Sequence, residues 1–223
     1  VRKRRAGAPV TIVHLTDGSR SHAALMPPDE LARLRRREAL DAAAELGVPE
    51  ASVTFLDFPD GALRRHRAAA REAVEGVLRA ARPAQVFVPY RGEAPADHAV
   101  TNRVVRAALQ RRGLAATVFE YPVWIWYHWP RLALPLGAGR ATVDLVRNSF
   151  RAGLGLRVRR DFGCVSVVDD VLDRKRAALD RHRSQMERLR PGWLTLGDVM
   201  DGAFLDCFFT GRELFHRYEI PAR

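Results

Sequence analysis

The residues of this 223-residue chain best suited to chemistry are an adjacent acid and imidazole, Asp97 and His98. They lie in a polar run, 91–102, that directly follows the apolar and β-branched segment 84–90. An imidazole beside a carboxylate is suited to metal binding or to proton transfer near neutral pH. A lone histidine at the start of a helix is also a common capping or packing residue. The pair alone leaves both interpretations open.

The surrounding pattern indicates that this pair is placed for function. Segment 84–90 predicts a central strand, and ligands of open parallel sheets bind outside the carboxyl ends of the strands. Two other apolar runs, 10–15 and 53–58, also end in loops, and each of these loops contains an Asp-Gly pair. An Asp-Gly pair alone is more often a plain turn, in which glycine takes a positive φ. If the three strands are parallel, one edge of the sheet gathers Asp17, Asp60, Asp97 and His98.

The periodicity predicts the elements that carry these loops. Apolar runs alternate with amphipathic segments, which predicts an α/β fold that is Rossmann-like, with a largely parallel sheet and helices on both faces. We expect one domain over 1–223, with a less regular C-terminal elaboration over 124–223. The predicted strands lie near 9–16, 52–58, 85–90, 116–122 and 157–168, and the predicted helices near 29–46, 66–82, 99–112, 141–151 and 170–188.

Charge and cysteine content restrict the function classes. The formal net charge is +11, but nearly all cations are arginines scattered along predicted helices among acidic residues. This pattern is typical of solvated faces, so RNA or DNA binding is a hypothesis that rests on charge alone. Cys164 and Cys207 lie far apart without metal-ligand spacing, which favours a reducing cytoplasm and excludes a zinc knuckle or a disulfide framework. No apolar stretch has the length of a membrane span, and we expect a soluble cytoplasmic protein.

The first long helix adds a second pair of candidates. At about 100° per residue, Glu38 falls between Leu31 and Leu34 on the apolar stripe, with Arg35 beside it. A buried carboxylate is costly unless it is paired, and residues spaced i, i+3 can face one another. The two side chains form either a structural ion pair or a substrate-facing pair.

Aromatic and imidazole side chains elsewhere have two interpretations. The run 124–129 contains three tryptophans, which either stack on sugar rings or pack in a core or interface. His182 shares a predicted helix face with leucines, which favours a core histidine, and His14 lies within a predicted buried strand.

Together these motifs resemble the LmbE-like (PIG-L) deacetylases, which are zinc-dependent enzymes that remove acetyl groups from N-acetylglucosamine-containing substrates. Order and spacing match over about 7–122 and again over 169–190. The resemblance implies a hydrolase that removes an N-acyl (acetyl) group from a small amino-sugar conjugate, with Zn as cofactor and no nucleic-acid partner. The motifs that carry it are Leu15-Thr-Asp-Gly18, Arg35 with Glu38, Phe58-Pro-Asp-Gly61, Pro89-Tyr90 and Ala96-Asp-His98.

The resemblance also assigns roles to individual residues. It implies that His98 is a zinc ligand, that Asp97 orients the site from behind it, and that Arg35 and Asp60 face the sugar. Relatives often have a histidine at the position of Pro95, and the candidates to replace it are the zinc ion itself, Tyr90, His128 and His182.

The family's His-Pro-Asp-Asp motif, which supplies two further zinc ligands and the general base, does not occur in this sequence. The resemblance places it upstream of Val1, and residues 1–7 read as the last turn of a helix with Gly7 as its cap. We therefore expect the chain as written to bind zinc weakly or not at all and to be inactive. A degenerate, non-catalytic carbohydrate-binding domain of the same fold is the alternative.

Overall fold

The computed structural model describes residues 1–93, 95–128 and 160–222, without the side chains of residues 127 and 128. Its helices and strands alternate through the first half of the chain. The strands are β1 (Ile12–Thr16), β2 (Val53–Phe58), β3 (Gln85–Pro89), β4 (Ala116–Tyr121), β5 (Cys164–Val167) and β6 (Arg212–Ile220). The helices are α1 (Arg2–Arg5), α2 (Pro28–Glu45), α3 (Arg67–Ala81), α4 (Ala96–Arg111), α5 (Ile125–His128), α6 (Leu172–Asp180), α7 (Arg183–Met186) and α8 (Ala203–Asp206), with short 3-10 turns at 50–52, 169–171 and 196–202.

The predicted α/β fold class is confirmed, and the boundaries of α2, α3 and β1 to β4 fall within about three residues of those expected from the sequence. The predicted helix near 141–151 lies outside the described residues. Gly7 has φ +74°, as expected of the residue after a helix that ends in a left-handed cap. None of the described helices is long and apolar enough to cross a membrane.

The long helix predicted over 170–188 is instead two helices, α6 and α7, separated at Arg181 and His182. The break has an identifiable cause. In an unbroken helix the amide of Ser184 would donate to the carbonyl four residues earlier, but it donates to the carboxylate of Glu38 at 2.7 Å. The contact with α2 therefore takes the place of one helical hydrogen bond at the break.

The strands form two parallel pairs and an antiparallel extension. β1 pairs in parallel with β2, and β3 pairs in parallel with β4. β6 then runs antiparallel to both β4 and β5, so the second sheet has the order β3-β4-β6-β5. The sheet is thus partly parallel, and its parallel part carries the loops singled out from the sequence.

One buried cluster joins the two sheet segments. Leu15 of β1 and Phe58 of β2 pack against the cluster that contains Val88 of β3 and Val118 of β4. The same cluster includes apolar side chains of α3 and α4, which contact one another along their length. This shared core fixes the carboxyl ends of β1, β2 and β3 relative to one another. The fully buried members of the cluster include Leu63, Ala70, Val118, Ala108 and Leu109.

Candidate functional site

Asp97 holds the loop after β2 against the start of α4. Its carboxylate accepts the backbone N–H of Gly61 at 2.7 Å and that of Leu63 at 3.3 Å. Asp97 also lies in the first turn of α4, where a negative charge is favoured by the helix dipole. The side chain therefore joins two of the three predicted loops and places the residue that follows it, His98.

Asp17 makes the equivalent connection between the loops after β1 and β2. One carboxylate oxygen accepts the backbone N–H of Ser19 at 3.0 Å and that of Asp60 at 3.2 Å. Gly18 and Gly61 have φ of +67° and +74°, so both Asp-Gly pairs form plain turns in which glycine takes a positive φ. These turns nevertheless lie together, because Asp17 also donates its backbone N–H to Phe58 at 3.0 Å.

His98 contacts a buried carboxylate that the sequence did not single out. Its Nδ1 atom lies 3.3 Å from the Oε2 atom of Glu93, whose side chain is wholly buried. The imidazole is 31% exposed. The Nδ1 edge of the ring is thus directed at a buried group, and His98 also lines a cavity.

The cavity beside His98 has a volume of about 660 Å³ and a largely polar wall. It gathers predicted site residues from separate elements, including Asp17, Arg35, Asp60 and His98. Asp97 is not among the residues that line it. Other lining residues are His14, Thr16, Gly18, Asp29, Arg33, Arg36, Phe55, Asp57, His182 and Gln185.

The structure gives Arg35 and Glu38 partners other than each other. The guanidinium of Arg35 donates to the carbonyl of Gly18 at 2.6 Å and to the hydroxyl of Ser21 at 2.6 Å. Its Nε atom is buried without a partner among the described residues. Burial lowers the pKa of Arg35, partly offset by the nearby Asp60 and Glu38 carboxylates. Of the two interpretations left open by the sequence, the structural ion pair with Glu38 is not what these contacts show, because they direct Arg35 toward the loop after β1.

His14 and His182 line the same cavity and are both mostly buried. Burial lowers the pKa of each imidazole, and each pKa is lowered further by a neighbouring cation, while Glu38 opposes the effect at His182. Ring stacking of His14 on Phe55, at 4.9 Å between centroids, suits a neutral ring. Both histidines are therefore expected to be uncharged near neutral pH.

A lowered imidazole pKa in the folded state makes stability depend on pH. As the pH falls below about 6.5, the unfolded chain binds protons that the folded chain excludes, so the free energy of unfolding should decrease. We expect the urea unfolding midpoint to be lower at pH 5.5 than at pH 7.5. The double variant His14→Gln, His182→Gln should show a smaller decrease, and an equal decrease would contradict the assignment.

Tyr90, His128 and His182 are the side chains proposed to replace the histidine that relatives have at the position of Pro95. Tyr90 donates its hydroxyl to Asp161 at 2.6 Å and packs on Phe162, and burial raises the pKa of Tyr90 to about 12. It does not line the cavity of His98. The side chain of His128 lies outside the described residues, so His182 is the only one of the three proposed replacements placed beside His98 by the described structure.

Of the two described tryptophans in the aromatic run, only Trp124 follows the packing interpretation. Trp124 stacks on Phe204 with 4.9 Å between ring centroids. Trp126 lines a different cavity, of about 970 Å³, that also contains Phe87 and Phe215. Trp129 lies outside the described residues. Neither described tryptophan lines the cavity of His98.

The donor set for a metal is incomplete within the described residues. Among residues 1–93, 95–128 and 160–222, no group of three or more His, Cys, Asp or Glu side chains is arranged to hold a metal ion. Zinc in a hydrolytic site takes about three protein ligands and keeps a fourth position open. His98 can supply one of these ligands, while Asp97 is engaged with backbone amides. The residues described here therefore do not by themselves fit a zinc centre.

Comparison with solved structures identifies proteins of the same fold. N,N'-diacetylchitobiose deacetylase from Pyrococcus horikoshii superposes with a TM-score of 0.62 at 19% identity, over 99% of this chain and 76% of that one. The zinc-inhibited form of teicoplanin deacetylase Orf2 gives a TM-score of 0.63 at 16% identity, over 99% and 91%. A 4-carboxy-2-hydroxymuconate hydratase, GalB from Pseudomonas putida KT2440, gives 0.59 at 17% identity, over 100% and 88%. The fold alone therefore does not determine the reaction.

Comparison of the sequence with known families is more selective than comparison of the fold. No curated protein matches the chain significantly. The family described as PIG-L, GlcNAc-PI de-N-acetylase, matches residues 1–109. That range contains the loops after β1, β2 and β3, and with them Arg35, Asp60, Asp97 and His98. Residues 1–109 therefore match the PIG-L (LmbE-like) family, which is the family that the sequence motifs predicted.

Proposed function

We propose that this protein is a zinc-dependent hydrolase that removes an N-acyl group, most simply acetyl, from an amino-sugar conjugate. The observation that carries the proposal is the placement of His98. Its ring lines a polar cavity shared with Arg35 and Asp60, within the residues that match the PIG-L family. Two of the similar structures are named as deacetylases of a chitobiose derivative and of teicoplanin, which supports an amino-sugar substrate.

We assign His98 as a zinc ligand and Asp97 as the residue that fixes the start of α4 around it. Arg35 and Asp60 are proposed to bind the sugar, because guanidinium N–H groups donate to hydroxyls and a carboxylate accepts from them. Asp60 is half-buried, and its carboxylate accepts the backbone N–H of Arg20 at 3.1 Å, which holds it at the cavity. We further propose that the whole chain is one domain, since both sheet segments share one core. A cytoplasmic location is a separate proposal, which rests on the two free cysteines.

A zinc ion would lower the pKa of a bound water and polarise the amide carbonyl. The described residues provide one positioned ligand for it, so we assign no hydrolytic step to them. A second proposal, about zinc binding and activity, follows from this donor set. Residues 1–223 alone bind zinc weakly and are inactive, whereas a chain that also carries a His-Pro-Asp-Asp segment N-terminal to Val1 is active.

This proposal is tested by comparing the two chains directly. Amine release from N-acetylglucosamine conjugates and zinc affinity by chelator competition would be measured for each. We expect turnover and tight zinc binding only in the longer chain, and loss of both when the four motif residues are replaced by alanine. Turnover by residues 1–223 with zinc bound at His98 would contradict the proposal.

The alternative of a non-catalytic carbohydrate-binding domain predicts a different outcome from the same chains. The longer chain would then bind the sugar without releasing amine. A nucleic-acid function would show binding that weakens steeply with salt and ignores zinc chelation. Local pairing of the arginines argues against that function, since Arg36 pairs with Asp57 at 2.6 Å and Arg174 with Glu45 at 2.6 Å.

A further inference from the structure

Glu93 makes more polar contacts than its position in a loop suggests. Its Oε1 atom accepts the backbone N–H of Val123 at 2.8 Å and that of Ile125 at 3.4 Å. Its Oε2 atom accepts the backbone N–H of Trp124 at 2.8 Å and contacts Nδ1 of His98 at 3.3 Å. One buried carboxylate therefore connects the loop after β3, the loop after β4 and the imidazole of His98.

The donors around Glu93 indicate where the hydrogen of its contact with His98 lies. The side chain has no exposed surface, and burying a carboxylate is unfavourable unless donors surround it. Three backbone N–H groups face its two oxygens, and these groups can only donate. Both oxygens of Glu93 therefore act as acceptors in these contacts. The contact with His98 then requires a hydrogen on Nδ1.

We propose that Glu93 is a positioning residue, which holds His98 as the Nδ1–H tautomer and links its orientation to the backbone of residues 123–125. The Nε2 atom then carries the lone pair, on a ring that is partly exposed and belongs to a residue lining the cavity. That a zinc ion uses this lone pair rests on the proposed function, whereas the tautomer and the link to residues 123–125 do not. A carboxylate or carbonyl partner on the other ring nitrogen is a general means of fixing a metal-binding histidine.

A purely structural role for Glu93 predicts something different. The carboxylate would then serve only to satisfy the amides of Val123, Trp124 and Ile125, and the hydrogen on the His98 ring would not depend on it. Loss of the carboxylate would weaken the loop after β4 and leave the imidazole tautomer unchanged. The tautomer therefore separates the two roles.

The test uses residues 1–223 without zinc. Long-range proton–nitrogen NMR spectra of the histidine rings above neutral pH report which ring nitrogen carries the hydrogen. We expect His98 to carry it on Nδ1, and in the Glu93→Gln variant we expect a shift toward Nε2–H, because the glutamine amide can donate to Nδ1. Amide hydrogen exchange at residues 123–125 should become about tenfold faster or more in the variant, as a hydrogen bond to a charged group is lost.

Glu120→Gln is the matched control. Glu120 is also fully buried at the end of a neighbouring strand, but its carboxylate accepts from the backbone of Arg91 and from the hydroxyl of Tyr218 rather than from His98. This variant should leave the His98 tautomer and the exchange at residues 123–125 unchanged. An Nε2–H tautomer in the unmodified chain would overturn the proposal even if no variant folds. An unchanged tautomer in folded Glu93→Gln would overturn it equally, and neither result depends on whether the protein is a deacetylase.

Discussion

Replacing Glu38 with alanine is expected to lower the free energy of unfolding by about 3 kcal/mol. Glu38 is buried in α2, and its two carboxylate oxygens accept the backbone N–H and the hydroxyl of Ser184, both at 2.7 Å. Ser184 is itself fully buried, and its carbonyl accepts the indole N–H of Trp193 at 2.8 Å. Alanine would leave two buried donors without an acceptor and a void in place of the carboxylate.

Urea unfolding monitored by circular dichroism would measure this loss. Glu72→Ala, which removes an exposed carboxylate from α3, should change the free energy of unfolding by less than about 0.5 kcal/mol. Glu38→Gln should fall between the two, since its amide oxygen still accepts one of the two hydrogen bonds. Equal stabilities for Glu38→Ala and Glu72→Ala would show that the contact between α2 and α7 contributes nothing.

The burial of Glu38 could be predicted from the sequence, but its partner could not. The helical periodicity places Glu38 on the apolar stripe, which is where the structure buries it. Local spacing offers only neighbours such as Arg35, whereas the true partner, Ser184, is 146 positions away in the chain. A contact of that separation depends on how α7 docks against α2, and this docking is also what breaks the helix predicted over 170–188.

Glu93 was missed for a related reason. Its partners follow β4, the strand next to β3, and loops that leave the same ends of adjacent parallel strands must lie close together. That rule gathered Asp17, Asp60, Asp97 and His98 correctly into one region. It could have included Glu93, because a glutamate in such a loop faces the backbone N–H groups of the next one. Glu93 was overlooked because it forms no motif with its neighbours in sequence.

The strand β6 was missed because its pattern resembles a solvated segment. Its burial alternates only over 216–220, and its two buried side chains, Phe215 and Ile220, are five residues apart and therefore lie on opposite faces. This mixed pattern gives no clear period-2 signal, and βα periodicity directed the prediction toward parallel strands. β6 inserts between β4 and β5, a position that no local signal specifies.

Replacing His98 with alanine, in a chain that also carries the His-Pro-Asp-Asp segment, is expected to reduce kcat/KM for deacetylation by about a thousandfold or more. A thousandfold corresponds to about 4 kcal/mol of lost transition-state stabilisation. The reason is that a hydrolytic zinc site needs about three protein ligands, and we assign His98 as one of them. Zinc affinity measured by chelator competition should fall together with the rate, because one lost ligand weakens the metal and removes its chemistry.

Two matched substitutions test whether this loss belongs to His98 itself. His66→Ala removes an exposed imidazole just before α3, and it should change both the rate and the zinc affinity less than about twofold. His182→Ala removes a second imidazole from the same cavity, and it should spare zinc affinity even if it slows turnover. If His182→Ala abolished zinc binding while His98→Ala did not, the metal ligand would come from the junction between α6 and α7 rather than from α4. The anchoring of Asp97 and Glu93 around His98 would then serve the loops alone.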